Sequence, residues 1–180
     1  ILLLGAGLAW AAEDKVLFDF ESGTWTGWRY EGPSEKPTFG ATPFKATGVV
    51  DKWRADRDFT GYHGDWMVIV GDTRHEGVKP GRLVSDEFEI TRHYLKFRFG
   101  AEAHPAVRIC LEVDGQVVRT TYGNNSYDMR ERGWDVRSVA GRKARLLIED
   151  KADVPSLLRA DYFRLSDGAP PEVGIFDESE

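Results

Sequence analysis

Residues 106–122, AVRICLEVDGQVVRTTY, read as two extended runs joined by a tight turn, and this reading decides the fold. Asp114-Gly115 is a favoured central pair for a two-residue type I′ hairpin, because both positions accept positive φ. The flanking runs are rich in β-branched and apolar residues, as strands demand. Counting outward from the turn, Val113 pairs with Gln116, Leu111 with Val118, Ile109 with Thr120 and Val107 with Tyr122. That face is apolar and belongs to a core. The opposite face pairs Glu112 with Val117, Cys110 with Arg119 and Arg108 with Thr121. Arg119 then stands away from the core with Glu112 diagonally near it. It is either half of a surface ion pair, a common and weak arrangement, or a guanidinium whose planar fork is offered to hydroxyls or a carboxylate.

The same grammar runs along the chain. VLFDF (16–20), TWTGWRY (24–30), WMVIV (66–70), RLVSDEFEI (82–90), YLKFRFG (94–100), ARLLIED (144–150) and DYFRL (161–165) are short, aromatic or β-branched, and separated by Gly, Pro, Asp and Asn. Leu95, Phe97 and Phe99 share one face, with Tyr94, Lys96 and Arg98 on the other. Ala144, Leu146 and Ile148 likewise oppose Arg145, Leu147 and Glu149. No stretch keeps a helical apolar stripe for long. About ten short strands at such spacings predict an all-β fold, an antiparallel β-sandwich of jelly-roll type, as a single domain over residues 14–166. The stretch 31–65 is the longest irregular piece, and loops of that length are usually functional or disordered. Residues 167–180, DGAPPEVGIFDESE, read as an acidic linker or tail.

A chain of 180 residues with 41% hydrophobic residues can bury a full core. The formal net charge of −6 argues against a nucleic-acid partner, which selects basic surfaces. The opening ILLLGAGLAWAAED is too short an apolar run to span a bilayer, and Ala9-Trp10-Ala11 has the small-x-small pattern of a signal-peptidase site. Residues 1–12 are therefore expected to be the remnant of a secretory signal, and the protein to be secreted or periplasmic, with no membrane partner. With one cysteine, Cys110, the domain has no internal disulfide and relies on its core.

No catalytic constellation assembles on paper. The four histidines, His63, His75, His93 and His104, show no ligand spacing for zinc. Cys110 lies mid-strand as a packed thiol, and no G-x-S-x-G elbow is present. Carboxylates are plentiful, but a glycosidase needs two facing each other across a cleft. A structural calcium is conceivable from Asp19, Glu21 and Asp161, on the first and last strands, against the alternative of solvated surface carboxylates.

FDFESG-TWTGW (18–28), the Phe39-Gly40 step followed by Pro43, Gly71-Asp72, GRLVSDEFEI (81–90), YLKFRFGAEAHP (94–105), VDGQVVRTTYGNNS (113–126), GWDV (133–136), GRKARLLIED (141–150) and ADYFRL (160–165) occur in order. This ordered set resembles the levanase-associated fructan-binding carbohydrate-binding modules (family 66 type) found with bacterial fructan hydrolases. The resemblance spans residues 16 to 166. It implies a non-catalytic jelly roll that holds a terminal fructose of levan-type fructans or a related glycan, with a hydrolase domain as a possible partner in cis. The catalytic signatures of such hydrolases are not carried over; ADRDF at 55–59 lacks the proline. Carried across by motif, the resemblance puts Asp72, Arg119, Asn124 and Asp128 at the ligand, with Tyr122 or Trp134 covering the apolar face of the sugar. Asp72 reads equally as a turn carboxylate and Asn124 as a loop residue, while Trp134 by itself reads rather as core. Where the family carries three glycines, this chain reads Gly100-Ala101-Glu102. Alternatives are a structural or protein-interaction β-sandwich with a degenerate sugar pocket, and a small independent glycoside hydrolase.

Overall fold

A computed structural model describes residues 13–32, 42–51, 57–70, 81–152 and 156–171. Residues 1–12 and 172–180, the expected signal remnant and most of the tail, lie outside the described residues. In chain order the strands are β1 (Lys15–Phe18), β2 (Trp28–Glu31), β3 (Phe44–Lys45), β4 (Val50–Asp51) and β5 (Arg57–Asp58). Next come β6 (Trp66–Val70), β7 (Gly81–Ser85), β8 (Phe88–Glu89), β9 (Tyr94–Ala101) and β10 (Val107–Val113). Last are β11 (Gln116–Tyr122), β12 (Ser126–Asp135), β13 (Lys143–Asp150) and β14 (Leu158–Ser166). They form the expected antiparallel β-sandwich. Sheet I has the order β12-β9-β14-β6-β3, with β1 also on β14; sheet II has the order β11-β10-β13-β7-β2, with β8 also on β13.

The two-residue alternation read from the sequence is the burial pattern of the sandwich. Leu95, Phe97 and Phe99 from sheet I meet Ile109, Leu111, Leu146 and Ile148 from sheet II in one continuous core. Phe20, Trp28, Phe163 and Trp134 close it with aromatic contacts; Phe97 lies 4.7 Å from Trp134 and 5.6 Å from Phe163. Each such side chain contributes about 1.5–3 kcal/mol through its removal from water.

The hairpin of β10 and β11 forms at the expected turn, with φ of 49° at Asp114 and 79° at Gly115. Its register departs from the expectation one step later. Val113 faces Gln116 and Glu112 faces Val117, but Leu111 then faces Arg119, Cys110 faces Thr120, Ile109 faces Thr121 and Arg108 faces Tyr122. Val118 is the extra residue of a β-bulge and packs against the core. One extra residue turns every later side chain to the opposite face. Arg119 therefore moves to the inward side and Tyr122 to the outward side, the reverse of the straight register. The exchange brings the Thr121 hydroxyl inward, where it accepts the indole N–H of Trp134 at 2.9 Å.

The long irregular stretch also has a structural role in its described part. Ala46, Phe59, Met67 and Met129 form a second small core, joined by Phe44, Tyr62 and Ile69. Met67 and Ile69 alternate with Val68 and Val70, which face the main core, so this cluster lies on the outer face of sheet I. Segment 57–65 is pinned there. Gly61 packs so closely on the Met129 carbonyl that an added Cβ would meet its oxygen at 2.0 Å. Sheet I is thus covered on both faces, while on the outer face of sheet II Arg82, Arg108 and Lys151 reach solvent.

Candidate functional site

On the outer face of sheet II, four cross-strand registers line up. Tyr122 faces Arg108, Arg108 faces Glu149, Glu149 faces Arg82, and Arg82 faces Glu31. One polar row thus crosses five strands, roughly 20 Å at ordinary strand spacing. Its ionic contacts are continuous. Arg108 Nε donates to Glu149 Oε2 at 2.7 Å and Lys151 Nζ to Glu149 Oε1 at 2.6 Å. Arg82 stands 3.6 Å from Glu149 and 2.7 Å from Glu31, which also takes Arg29 at 2.9 Å. Beside this row runs a second one, Thr120, Cys110, Leu147 and Val84, in which the last three form a small buried apolar cluster. Cys110 is fully buried, and burial pushes its thiol up, so it packs and does not react.

Glu149 is the anchor of the row. Its side chain is only 2% exposed. Burial opposes its charge, but the hydrogen bonds from Lys151 and Arg108 outweigh that cost and hold its carboxyl below the usual range. A carboxylate bonded on both oxygens and kept ionised is a fixed charge, poorly suited to donating a proton.

At its Tyr122 end the row opens into a recess of about 280 Å³ lined by Ala103, His104, Pro105, Tyr122 and Gly123. Two loops build it. Asn125, in the left-handed region at φ 62°, accepts the Ala103 N–H at 2.8 Å, and Asn124 accepts the Ser126 N–H at 3.2 Å. Gly123 lies so close to the other loop that an added Cβ would sit 1.9 Å from the Glu102 carbonyl oxygen, so only glycine fits. His104 Nδ1 accepts the Ala106 N–H at 3.1 Å, which leaves the ring proton of the neutral imidazole on Nε2. The recess thus combines a phenol ring, a proline ring and a histidine, with the Arg108–Glu149–Lys151 cluster on its flank.

The structure separates the residues expected at the ligand. Tyr122 lines the recess, and Asn124 shapes the loop beside it. Arg119 is elsewhere. Its Nε and Nη2 donate to the Asp135 carbonyl at 3.2 and 3.0 Å, Nη1 to the Val118 carbonyl at 2.7 Å, and Nη2 also to Ser138 Oγ at 3.3 Å. The bonds to Asp135 tie the edge of sheet II to the end of β12 in sheet I. Trp134 is 1% exposed and belongs to the core. Asp128 accepts the Thr60 hydroxyl at 3.1 Å, next to the cover of sheet I. Asp72 lies outside the described residues. The reading of the sequence missed Arg108, Glu149, Lys151, Arg82 and Glu31. Alternation alone gives Arg108 and Glu149 outward positions; that they meet depends on pairing strands 41 residues apart.

Asp19, Glu21 and Asp161 do converge electrostatically, but as anchors of backbone. Asp161 takes the N–H groups of His63 and Tyr162, both at 2.6 Å, and Glu21 takes those of Asp65 and Trp66 at 2.9 and 3.0 Å. Burial pushes the Asp161 carboxyl up to about 8 against these N–H bonds, with Glu21 and Asp19 adding repulsion. Among the described residues no group of three His, Cys, Asp or Glu side chains has the spacing to hold a metal ion.

No protein-family model matches the chain, and no curated protein matches it. Solved structures do. One cleaved adhesin domain of Lys-gingipain is 14% identical with a TM-score of 0.56, over 86% of this chain and 99% of that one. Another, from Porphyromonas gingivalis, is 14% identical with a TM-score of 0.55, over 88% and 100%. A family 61 carbohydrate-binding module in complex with β-1,4-galactotriose is 18% identical with a TM-score of 0.48, over 81% and 92%. At these identities the adhesin domains show a shared sandwich fold. No helix among the described residues is long and apolar enough to cross a membrane.

Proposed function

We propose that this chain is a non-catalytic, exported glycan-binding module whose ligand lies on the outer face of sheet II and enters the recess at Tyr122. One observation carries the reading: a row of guanidiniums that reach solvent around the buried Glu149 carboxylate, fixed by strand register and ending at an aromatic-lined recess. Guanidiniums and carboxylates are the groups that bond pairs of sugar hydroxyls, and an aromatic ring covers the apolar side of a pyranose or furanose. The sequence motifs nominate the terminal fructose of levan-type fructans as the first ligand to try, and a hydrolase domain as the partner such a module would serve. Titration calorimetry of the folded chain against levan, inulin, fructose and a panel of plant and bacterial polysaccharides tests the proposal. Binding that Tyr122→Ala weakens about tenfold or more supports it; heat from none of the panel refutes it. Release of reducing sugar by the chain itself would refute the non-catalytic part.

A second reading, a protein-interaction sandwich with a degenerate sugar pocket, is favoured by one fact. Arg119 and Trp134, two residues that the motifs assign to the sugar, give their N–H donors to the fold itself. Retention of a protein partner by a chain that binds no glycan would select it.

A further inference from the structure

The cations of the sheet II row outnumber its carboxylates. Among the described residues, Arg29, Arg82, Arg108 and Lys151 are served by Glu31 and Glu149, and Glu149 is shared by three of the four. Glu112, the next carboxylate along β10, faces Arg145 across the strands and adds its charge to the field at Arg82. Asp150 is buried and bonded on both oxygens by Ser156, away from the row. Among the described residues of the row, four cations therefore stand with two carboxylates in a chain of net charge −6, and Arg108 and Lys151 stand where the row meets the recess. These two cations are accessible: Lys151 is 46% exposed and Arg108 31%, whereas the carboxylate between them is buried.

We infer that the module selects an acidic glycan, one whose sugar carries a carboxylate, and that Lys151 and Arg108 meet that group at the mouth of the recess. This rests on the glycan-binding reading and replaces a neutral fructose by a uronate as its ligand. The chemistry fits in two ways. A guanidinium offers a planar pair of N–H donors to a carboxylate, and an ammonium adds a compact charge beside it. Glu149, held ionised underneath, fixes both cations in place without competing for solvent-side contacts. The ring faces of Tyr122 and Pro105 then take the apolar side of the same sugar.

The test compares four polymers on the folded chain by calorimetry at low ionic strength and again at about 0.15 M salt, where exposed charges are screened beyond about 8 Å. Polygalacturonate carries sugar carboxylates, dextran sulfate carries sulfate esters, levan is neutral, and polyglutamate carries carboxylates without sugar. The expected result is binding of polygalacturonate about tenfold or more tighter than levan, surviving moderate salt. Lys151→Gln is expected to lower polygalacturonate affinity several-fold and affinity for levan by clearly less. Arg29→Gln, at the far end of the row and 51% exposed, serves as a second charge-removing variant if Lys151→Gln fails to fold; its expected loss is smaller. Equal binding of levan and polygalacturonate overturns the acidic preference and leaves the glycan reading standing. Equal binding of dextran sulfate or polyglutamate overturns the sugar carboxylate in favour of general polyanion attraction. Silence toward every saccharide overturns the glycan reading itself.

Discussion

The two outer faces of the sandwich hold buried carboxylates with opposite fates. On sheet I, Asp161 lies under the His63 segment, takes only backbone N–H groups, and has its carboxyl pushed up to about 8. On sheet II, Glu149 is just as hidden, yet it is pressed between Arg108 and Lys151 and titrates below the usual range. Burial raises a carboxyl pKa in both places. Hydrogen-bonded cations decide which way the balance falls. The same contrast separates structure from function: sheet I is sealed by an apolar cluster of Phe59, Met67 and Met129, and sheet II presents charge to solvent.

Removing the seal should break the contrast most severely. Phe59→Ala empties the centre of the small core, where Phe59 packs 5.3 Å from Phe44 and beneath the guanidinium of Arg159. A loss of about 3 kcal/mol or more in denaturant unfolding is expected, with glycan affinity of the remaining folded protein unaltered. Unchanged stability would mean that the segment only rests on the sheet.

Arg119→Ala comes next. It deletes the bonds to Asp135 that join the two sheets at their edge, with those to Ser138 in the turn beyond and to the adjacent Val118 carbonyl. The expected outcome is a loss of about 1.5–3 kcal/mol, measured as a shift in denaturant midpoint, without loss of binding at the recess. The reverse pattern, full stability and no binding, would return Arg119 to the ligand.

The carboxylates sharpen the comparison through pH. Glu149 has a folded pKa below its unfolded value, so its contribution is present above about 4.5 and is lost as pH falls through the folded value. Asp161 has a raised folded pKa, so its contribution is complete below 3.8 and is lost as pH rises through about 8. Thermal midpoints should therefore fall at both ends of the range. Glu149→Gln should flatten the acid limb and Asp161→Asn the alkaline limb, the latter at about 1 kcal/mol because the amide oxygen replaces only one of two acceptors. Limbs unaffected by these substitutions would assign the pH dependence to other groups.

The smallest effect is expected from Tyr122→Phe. The ring that lines the recess stays and the hydroxyl beside Arg108 goes, so affinity should fall only a few-fold, with no change in thermal midpoint. A complete loss of binding would make the hydroxyl the main contact and the ring incidental.

Alternation in YLKFRFG and ARLLIED marks the core positions directly, because a strand has a period of two and one buried face. Asp114-Gly115 likewise announces its turn, because positive φ at both central positions restricts the residues that fit. Register is another matter. The bulge at Val118 leaves no mark in the local sequence, since Val-Val-Arg-Thr-Thr suits a straight strand as well as a bulged one. It goes with a tertiary contact: Trp134, on a strand of the other sheet, donates its indole N–H to Thr121, which faces the core only after the slip. That one step turns Arg119 toward the Asp135 carbonyl and Tyr122 outward.

What the sequence by itself determined is therefore what is governed by neighbours along the chain: strand positions, the hairpin turn, the inward face of unbulged strands such as β9 and β13, and the sandwich that these faces require. What only the tertiary structure decided is the site. Arg108 and Glu149, and Glu149 and Arg82, meet because β10, β13 and β7 pair in one order and one register. Those pairings are chosen by how two whole sheets close over a shared core, a global packing optimum that no local run of residues encodes.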